Sequence, residues 1–232
     1  MSVSVLLHGS DHIIKKPSPQ IGNEHNDYGR GFYCTTQQDM AKEWACKQNT
    51  NGFVNRYSFD DGSLSTLNLL DGTHSILNWI ALLLKFRTFS LPSEIAVDAR
   101  KYIINNFSIE LSVYDVVIGY RADDSHFSFA QGFVSNTIPL RSLNRALRLG
   151  KLGAQTVLIS EKAFNGISFL DAETVDNSIY YQKFIARDIS ARESYRKELK
   201  PDKLYRDDIF VLDIMREEMK NGDSRIQRIL PD

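Results

Sequence analysis

Residues 27–44 combine residue types that suit one wall of a ligand pocket. Gly29 and Gly31 stand two apart and lead directly into Phe32 and Tyr33, a pattern that predicts a tight loop entering a short strand. Glycine permits positive φ and lets the backbone come close to a ligand or to another strand. We therefore expect the chemistry of this chain to involve this loop and the element that follows it.

A helix is predicted immediately after the loop, over residues 37–47. Thr36 with Asp39 is typical of a capping box, in which side chains at the start of a helix bind its unpaired N–H groups. The expected helix carries Met40 and Trp44. A loop, a strand end and a helix face would thus meet within residues 27–44, which is enough to form a pocket wall.

Composition indicates an ordinary globular chain of 232 residues, long enough for one filled core or two small domains. Apolar residues make up 42% and the net charge is −1, so neither disorder nor an overall basic field for nucleic acid is indicated. Cys34 and Cys46 are too few for a zinc quartet or a disulfide framework, and reduced thiols are expected. The first residues lack the basic region of a signal peptide, and the longest apolar run, 79–84, is too short to span a membrane. We expect a cytoplasmic protein with no membrane partner.

The order of predicted elements gives a mixed α+β fold with a helical C-terminal extension. Alternating or continuous apolar runs predict strands over 2–7, 53–59, 64–70, 114–120, 155–160 and 168–175. Caps and periodicity predict helices over 37–47, 76–87, 94–105, 139–150, 177–199 and 207–221, and a turn or short helix over 161–165. Residues 123–125 are expected to begin a short polar segment.

Two motifs in this order resemble the ADP-ribosyltransferase superfamily. His8-Gly9-Ser10 closes the first strand, and the loop of Gly29 and Gly31 enters the next one at Tyr33. The match is closest to the poly(ADP-ribose) polymerase and diphtheria-toxin-like branch, which has a His-Tyr-Glu triad. In that branch an aromatic residue follows the motif tyrosine by eleven positions, as Trp44 follows Tyr33 here.

Later segments extend the resemblance over roughly residues 4–175. Residues 114–119 with Asp123 and Asp124, and residues 153–158, look like a bacterial group of ADP-ribosyltransferase-like domains of unknown function. The fold implied is a pair of split antiparallel β-sheets with flanking helices, forming a domain over 1–176. Residues 177–232 would be a helical extension packed on that domain or on a partner.

The resemblance also implies a role for each matching residue. His8 would hydrogen-bond the nicotinamide ribose of NAD, and the Gly9 backbone would hold the carboxamide. Tyr33 and Trp44 would sandwich the nicotinamide ring. The cofactor-binding set implied is His8, Gly9, Ser10, Gly31, Phe32, Tyr33 and Trp44.

The third triad position departs from the family pattern, because the residue matching the glutamate is Gln155. An amide can hydrogen-bond a ribose hydroxyl but cannot act as a general base. Glu161 is the second choice. Six residues of strand span roughly 20 Å, which places Glu161 far from the position of Gln155.

The function implied is an NAD-dependent mono-ADP-ribosyltransferase acting on a macromolecule, either protein or nucleic acid. Bacterial relatives suggest a toxin of toxin–antitoxin or phage-defence systems, with a small antitoxin protein as partner. The neutral Gln155 leaves two alternatives open. One is a catalytically weak NAD- or ADP-ribose-binding module, and the other is a pseudo-enzyme whose C-terminal helices contact a partner. Residues 183–206 contain eight basic and four acidic residues, which fits a solvated helix face or a surface for an acidic partner.

Other site chemistries have less support in the sequence. The glycine spacing matches neither a dinucleotide-binding fingerprint nor a phosphate-binding loop, and no serine has the Gly-x-Ser-x-Gly setting of a hydrolase. His8 and His12 fall at a strand end and in a loop, which does not suit a zinc pair. Asp115, Asp123 and Asp124 can gather a divalent cation, but Asp123 and Asp124 also fit a cap and turn. No metal is therefore assigned.

Overall fold

A computed structural model describes residues 3–20, 22–122, 124–149, 153–198 and 205–227. The chain forms two compact units, each built from three separate stretches. Unit 1 comprises Met1–Asn68, Glu110–Arg121 and Leu152–Arg187, and unit 2 comprises Leu69–Ile109, Ala122–Lys151 and Asp188–Asp232. The predicted division at residue 176 follows chain order, whereas these units are interleaved along the chain.

The first sheet of unit 1 contains three antiparallel strands in the order β1-β3-β7. These are β1 (Val3–Ser10), β3 (Gly52–Asp60) and β7 (Ile167–Val175), which confirms the strands predicted over 53–59 and 168–175. β1 is longer than predicted, because residues 8–10 continue the ladder with β3. His8 therefore lies inside a strand, directly opposite Asn55.

The second sheet contains four strands in the order β2-β6-β5-β4. They are β2 (Phe32–Cys34), β4 (Thr66–Asn68), β5 (Val116–Tyr120) and β6 (Ala154–Leu158). β6 pairs antiparallel with β2 and β5, but β4 and β5 are parallel. The sheet is thus mixed, and the prediction of antiparallel sheets is wrong for this pair. Parallel pairing needs a long crossover, and the chain between β4 and β5 includes two helices, α2 (Ile76–Phe86) and α3 (Glu94–Phe107).

The two sheets are joined where β1 meets the end of β2. Leu7 and Thr35 exchange both backbone hydrogen bonds, with N···O distances of 2.8 and 2.9 Å. Buried side chains from both sheets, with Ala163 from the short helix over Glu161–Asn165, form one apolar cluster: Leu6, Phe32, Cys34, Tyr57, Phe59, Val116, Leu158 and Ile167. This junction brings the N-terminal strand beside the strand that carries Tyr33.

Helix α1 (Gln38–Ala45) packs on β1 and β3 through Ala41 and Ala45. The expected capping by Thr36 and Asp39 is absent from this helix start, which has Gln37 as N-cap and no side-chain cap bond. Thr35 Oγ1 instead accepts a hydrogen bond from the Gln37 N–H at 3.1 Å. The other helices that begin in unit 1 are α6 (Glu161–Asn165), the short helix predicted there, and α7 (Asn177–Glu198).

The regular elements in the described residues of unit 2 are all helices. Its helices are α2 (Ile76–Phe86), α3 (Glu94–Phe107), α4 (Asp124–Val134), α5 (Leu140–Leu149), α8 (Val211–Arg216) and α9 (Ser224–Gln227). The polar segment predicted to begin at 123–125 is therefore, from Asp124 onward, the start of helix α4. Its apolar residues Phe129, Ala130, Phe133 and Val134 recur at helical spacing and are fully buried.

The C-terminal residues pack against helices of the same unit. Leu140 N donates to the Ile209 carbonyl at 2.7 Å, and the Tyr102 hydroxyl donates to the Met219 carbonyl at 3.0 Å. The helix predicted over 207–221 is shorter, because the chain turns at Glu218, where φ is 50°. None of the described helices combines the length and apolarity needed to cross a membrane.

Candidate functional site

His8 lies on the Phe32 side of β2. Its ring stacks on Phe32 with a centroid separation of 4.4 Å, and its Nδ1 lies 2.7 Å from the Tyr33 carbonyl oxygen. Because a carbonyl oxygen only accepts, Nδ1 carries the proton in the neutral ring and Nε2 is the acceptor nitrogen. Burial lowers the pKa of His8, while the bond to the Tyr33 carbonyl opposes that shift. His8 is therefore suited to accept a hydrogen bond from a hydroxyl group at neutral pH.

The lowered pKa of His8 predicts a specific dependence of stability on pH. The unfolded chain binds a proton near pH 6.5, whereas the folded chain binds it only at lower pH. The contribution is thus complete above pH 6.5 and is lost as the pH falls through the lowered pKa. Urea unfolding of wild type and His8→Gln should show a smaller loss of stability below this pH in the variant. Equal slopes in the two proteins would contradict the assignment, and His25→Gln, at an exposed histidine, is the matched control.

Gly9 and Ser10 have different surroundings from His8. A Cβ added at Gly9 would lie 2.0 Å from the Ala41 carbonyl oxygen and 2.8 Å from the Trp44 Cβ, so Gly9 lets α1 approach β1. The Ser10 hydroxyl donates to the His12 carbonyl at 2.6 Å and accepts from Asn55 Nδ2 at 2.9 Å. Ser10 therefore fixes the chain that leaves β1.

The glycine loop before β2 has the two properties predicted from its sequence. Gly29 has φ of 75°, and a Cβ at Gly31 would lie 2.9 Å from the Leu158 carbonyl oxygen. The Tyr33 hydroxyl accepts from the Tyr28 N–H at 3.0 Å and donates to the Gly29 carbonyl at 2.7 Å. The Tyr33 hydroxyl therefore fixes the conformation of the loop that precedes β2. The Tyr33 ring is half-buried.

Gln155 lies on the same face of the second sheet as Tyr33, because Tyr33 pairs with Val157 and side chains alternate along β6. Its side chain is 2% exposed, and Nε2 donates to Asp27 Oδ2 and to the Tyr120 carbonyl, each at 3.0 Å. The same carbonyl accepts from the Tyr28 hydroxyl at 2.8 Å. Gln155 is thus bound to the glycine loop and is a buried residue of the site.

Trp44 projects from α1, half-buried, with the Arg121 guanidinium 4.8 Å from its ring centroid. This is cation–π stacking of a planar cation. The buried indole Nε1 has no hydrogen-bond partner among the described residues. The Trp44 ring thus has a face that accepts a flat positive group.

Some of the predicted site residues lie close together in the structure, and others do not. Tyr33 and Gln155 belong to one hydrogen-bond network, while His8 joins it through the Tyr33 backbone carbonyl. Glu161 is exposed at the start of α6, beyond the end of β6 distant from Gln155.

Comparison with known protein families identifies the family of this chain but does not identify an activity. Residues 4–169 of the 232 match the model of a family described as protein of unknown function, DUF3990. The chain belongs to the DUF3990 family. The match spans every residue of the predicted site, from His8 to Gln155. Neither a curated protein nor a solved structure matches the chain.

For this DUF3990 site the sequence patterns placed Asp27 and Tyr28 in the predicted pocket wall without giving them a role, and they did not indicate Asn55. Asp27 and Tyr28 belong to the network around Gln155, and Asn55 is buried opposite His8. Asn55 had a readable signal, since it alternates with Tyr57 and Phe59 and so stands at an inward position of a strand. Asp27 had no such signal, because its partner is far away in the chain.

The described residues of this DUF3990 chain contain no group of side chains that could hold a metal ion. No three His, Cys, Asp or Glu side chains converge there. Asp115 instead accepts from the Ser65 N–H at 2.8 Å and the Ser160 hydroxyl at 2.6 Å, which lowers its pKa. Asp123, the next member of the predicted acidic group, lies outside the described residues.

Proposed function

We propose that this chain is an NAD-dependent mono-ADP-ribosyltransferase with an ADP-ribosyltransferase-like fold. It would release nicotinamide and transfer ADP-ribose to a macromolecular acceptor. One observation carries the proposal: Tyr33 and Gln155, remote in sequence, are linked by hydrogen bonds through Tyr28 and the Tyr120 carbonyl, and His8 bonds the backbone carbonyl of Tyr33. The junction of β1 with β2 and the pairing of β2 with β6 position them.

The chemistry of NAD suits the groups around this network. The nicotinamide ring of NAD is flat and positively charged, and Trp44 already stacks with a planar cation. When the C–N bond to ribose breaks, the electron pair goes to the nicotinamide nitrogen and positive charge appears at the ribose. The acceptor nucleophile then bonds to that carbon and releases its proton to water. His8 Nε2 would accept a hydrogen bond from a ribose hydroxyl and fix the sugar.

Nicotinamide release from labelled NAD, with cell lysate as the source of acceptor, tests this proposal. Wild type should release nicotinamide and label a macromolecule. His8→Ala should release it about 100-fold more slowly, as expected when one stabilising group is removed from a transition state. His12→Ala, at the exposed histidine of the same segment, should keep the wild-type rate.

A catalytically weak NAD- or ADP-ribose-binding module is the second candidate, and the buried neutral amide of Gln155 favours it. Calorimetry separates the candidates. NAD binding without release would support the binding module, and absence of binding at millimolar NAD would exclude both. The third candidate, an interaction protein that uses its C-terminal helices, would then stand. The toxin role and the antitoxin partner rest on the family resemblance alone, and partner capture from the native host would test them.

A further inference from the structure

We propose that Asp27 is the charged positioning residue of this site, acting through Gln155. The inference rests on the proposed function, since it concerns how positive charge on the ribose is stabilised. Asp27 is 6% exposed and its Oδ2 lies 3.0 Å from Gln155 Nε2. The site thus contains a carboxylate that is supplied by the glycine loop and paired with the amide on β6.

The hydrogen bonds of Gln155 determine how its amide is oriented. Both acceptors of Nε2, the Asp27 carboxylate and the Tyr120 carbonyl, lack a hydrogen to donate, so both amide hydrogens are used. Gln155 Oε1 must therefore point away from them and is the acceptor that remains for a sugar hydroxyl. Donation to an ionised carboxylate polarises the amide and increases the negative charge on that oxygen.

Asp27 is itself held in place by its neighbours on the loop. The hydroxyl of Tyr28, a residue 2% exposed, donates to the Tyr120 carbonyl that also binds Gln155. The Tyr28 N–H donates to the Tyr33 hydroxyl, and the Gly29 N–H donates to the Asn26 carbonyl at 3.0 Å. These bonds fix the backbone on both sides of Asp27 and connect it to Tyr33, whose ring would contact nicotinamide.

A fixed carboxylate can stabilise the positive charge that forms on the ribose. Charge interactions are stronger in a buried, water-poor site than in water, and a preorganised group acts without reorganising during the reaction. Gln155 alone has no charge to contribute. In the Asp27–Gln155 pair, Asp27 supplies the negative charge and Gln155 supplies the hydrogen bond to the sugar.

Variants of Asp27 that differ in charge test this division of roles. Asp27→Asn keeps an acceptor oxygen for Gln155 but removes the charge, so kcat for nicotinamide release should fall about 100-fold with KM changed less than about threefold. Asp27→Glu and Asp27→Gln have side chains of the same length and differ from each other only in charge. Asp27→Glu should release nicotinamide at least about tenfold faster than Asp27→Gln.

The outcomes separate this inference from the function on which it rests. A wild type that releases no nicotinamide would overturn both. An active wild type with an equally active Asp27→Asn would overturn the role of Asp27 alone, since orientation by any acceptor would then suffice. If Asp27→Asn does not fold, the pair Asp27→Glu and Asp27→Gln decides: faster release by Asp27→Glu supports the role of Asp27, and equal release by the two overturns it.

Discussion

Replacing Gly9 with alanine is expected to destabilise the protein by about 3 kcal/mol, because the added carbon overlaps backbone atoms. It would lie 2.0 Å from the Ala41 carbonyl oxygen and 2.6 Å from the Ala45 nitrogen. Backbone atoms cannot rotate aside as a flexible side chain does, so α1 must move away from β1. Trp44 would move with the helix, and nicotinamide release should fall together with stability.

Urea unfolding followed by circular dichroism measures this effect, and Gly72→Ala supplies the matched control. Gly72 has φ of 83°, and a Cβ added there would meet no atom within 4 Å, so alanine costs only backbone strain of about 1 kcal/mol. The difference between the two variants isolates the overlap at Gly9. A Gly9→Ala protein as stable as Gly72→Ala would show that β1 and α1 are too far apart for such an overlap.

Helix packing explains why position 9 of the motif is a glycine. The family resemblance assigns its backbone to the nicotinamide carboxamide, whereas helix packing by itself already requires glycine here. The two roles are compatible, because packing constrains the side chain and a ligand would use the backbone. Loss of turnover on mutation of Gly9 therefore does not prove ligand contact, and the stability measurement is needed beside it.

Local patterns predicted the parts of this fold that local forces determine. The loop before Tyr33 needed glycine for a positive φ and for close approach, and Gly29 and Gly31 meet those needs. A helix was predicted to begin at residue 94, and the Ser93 hydroxyl caps it by accepting from the Ala96 N–H at 3.2 Å. Each of these features depends on residues within a few positions of one another.

Pairings between distant residues could not be read in the same way. The parallel pairing of β4 with β5 depends on the path of the intervening chain, and the strand predicted over 64–70 shortens to Thr66–Asn68. The Asp27–Gln155 pair joins positions 128 residues apart. In the sequence, Gln155 is only a neutral residue at the position of the family glutamate. In the structure, the carboxylate of Asp27 lies beside it.

Replacing Asn55 with alanine is expected to cost about 3 kcal/mol, because it leaves several buried polar groups without partners. Asn55 is fully buried in β3, where Oδ1 accepts from the Ile14 N–H at 2.8 Å. Nδ2 lies 2.9 Å from the Ser10 hydroxyl and 3.3 Å from the His12 carbonyl. One side chain thus fixes the segment that follows His8 and holds Ser10 in the site.

The same variant should loosen residues 10–14 in a way that limited proteolysis and hydrogen exchange detect. Asn165→Ala, at an exposed asparagine in the same unit, should stay within about 0.5 kcal/mol of wild type. Asn55→Asp keeps the acceptor for Ile14 but places a carboxylate against the His12 carbonyl, so it should not restore stability. Recovery in Asn55→Asp would mean that the bond to Ile14 alone holds the segment. If instead both variants at Asn55 lose stability, the two donor bonds are needed as well, and the position of Ser10 beside His8 depends on a residue outside the recognised motifs.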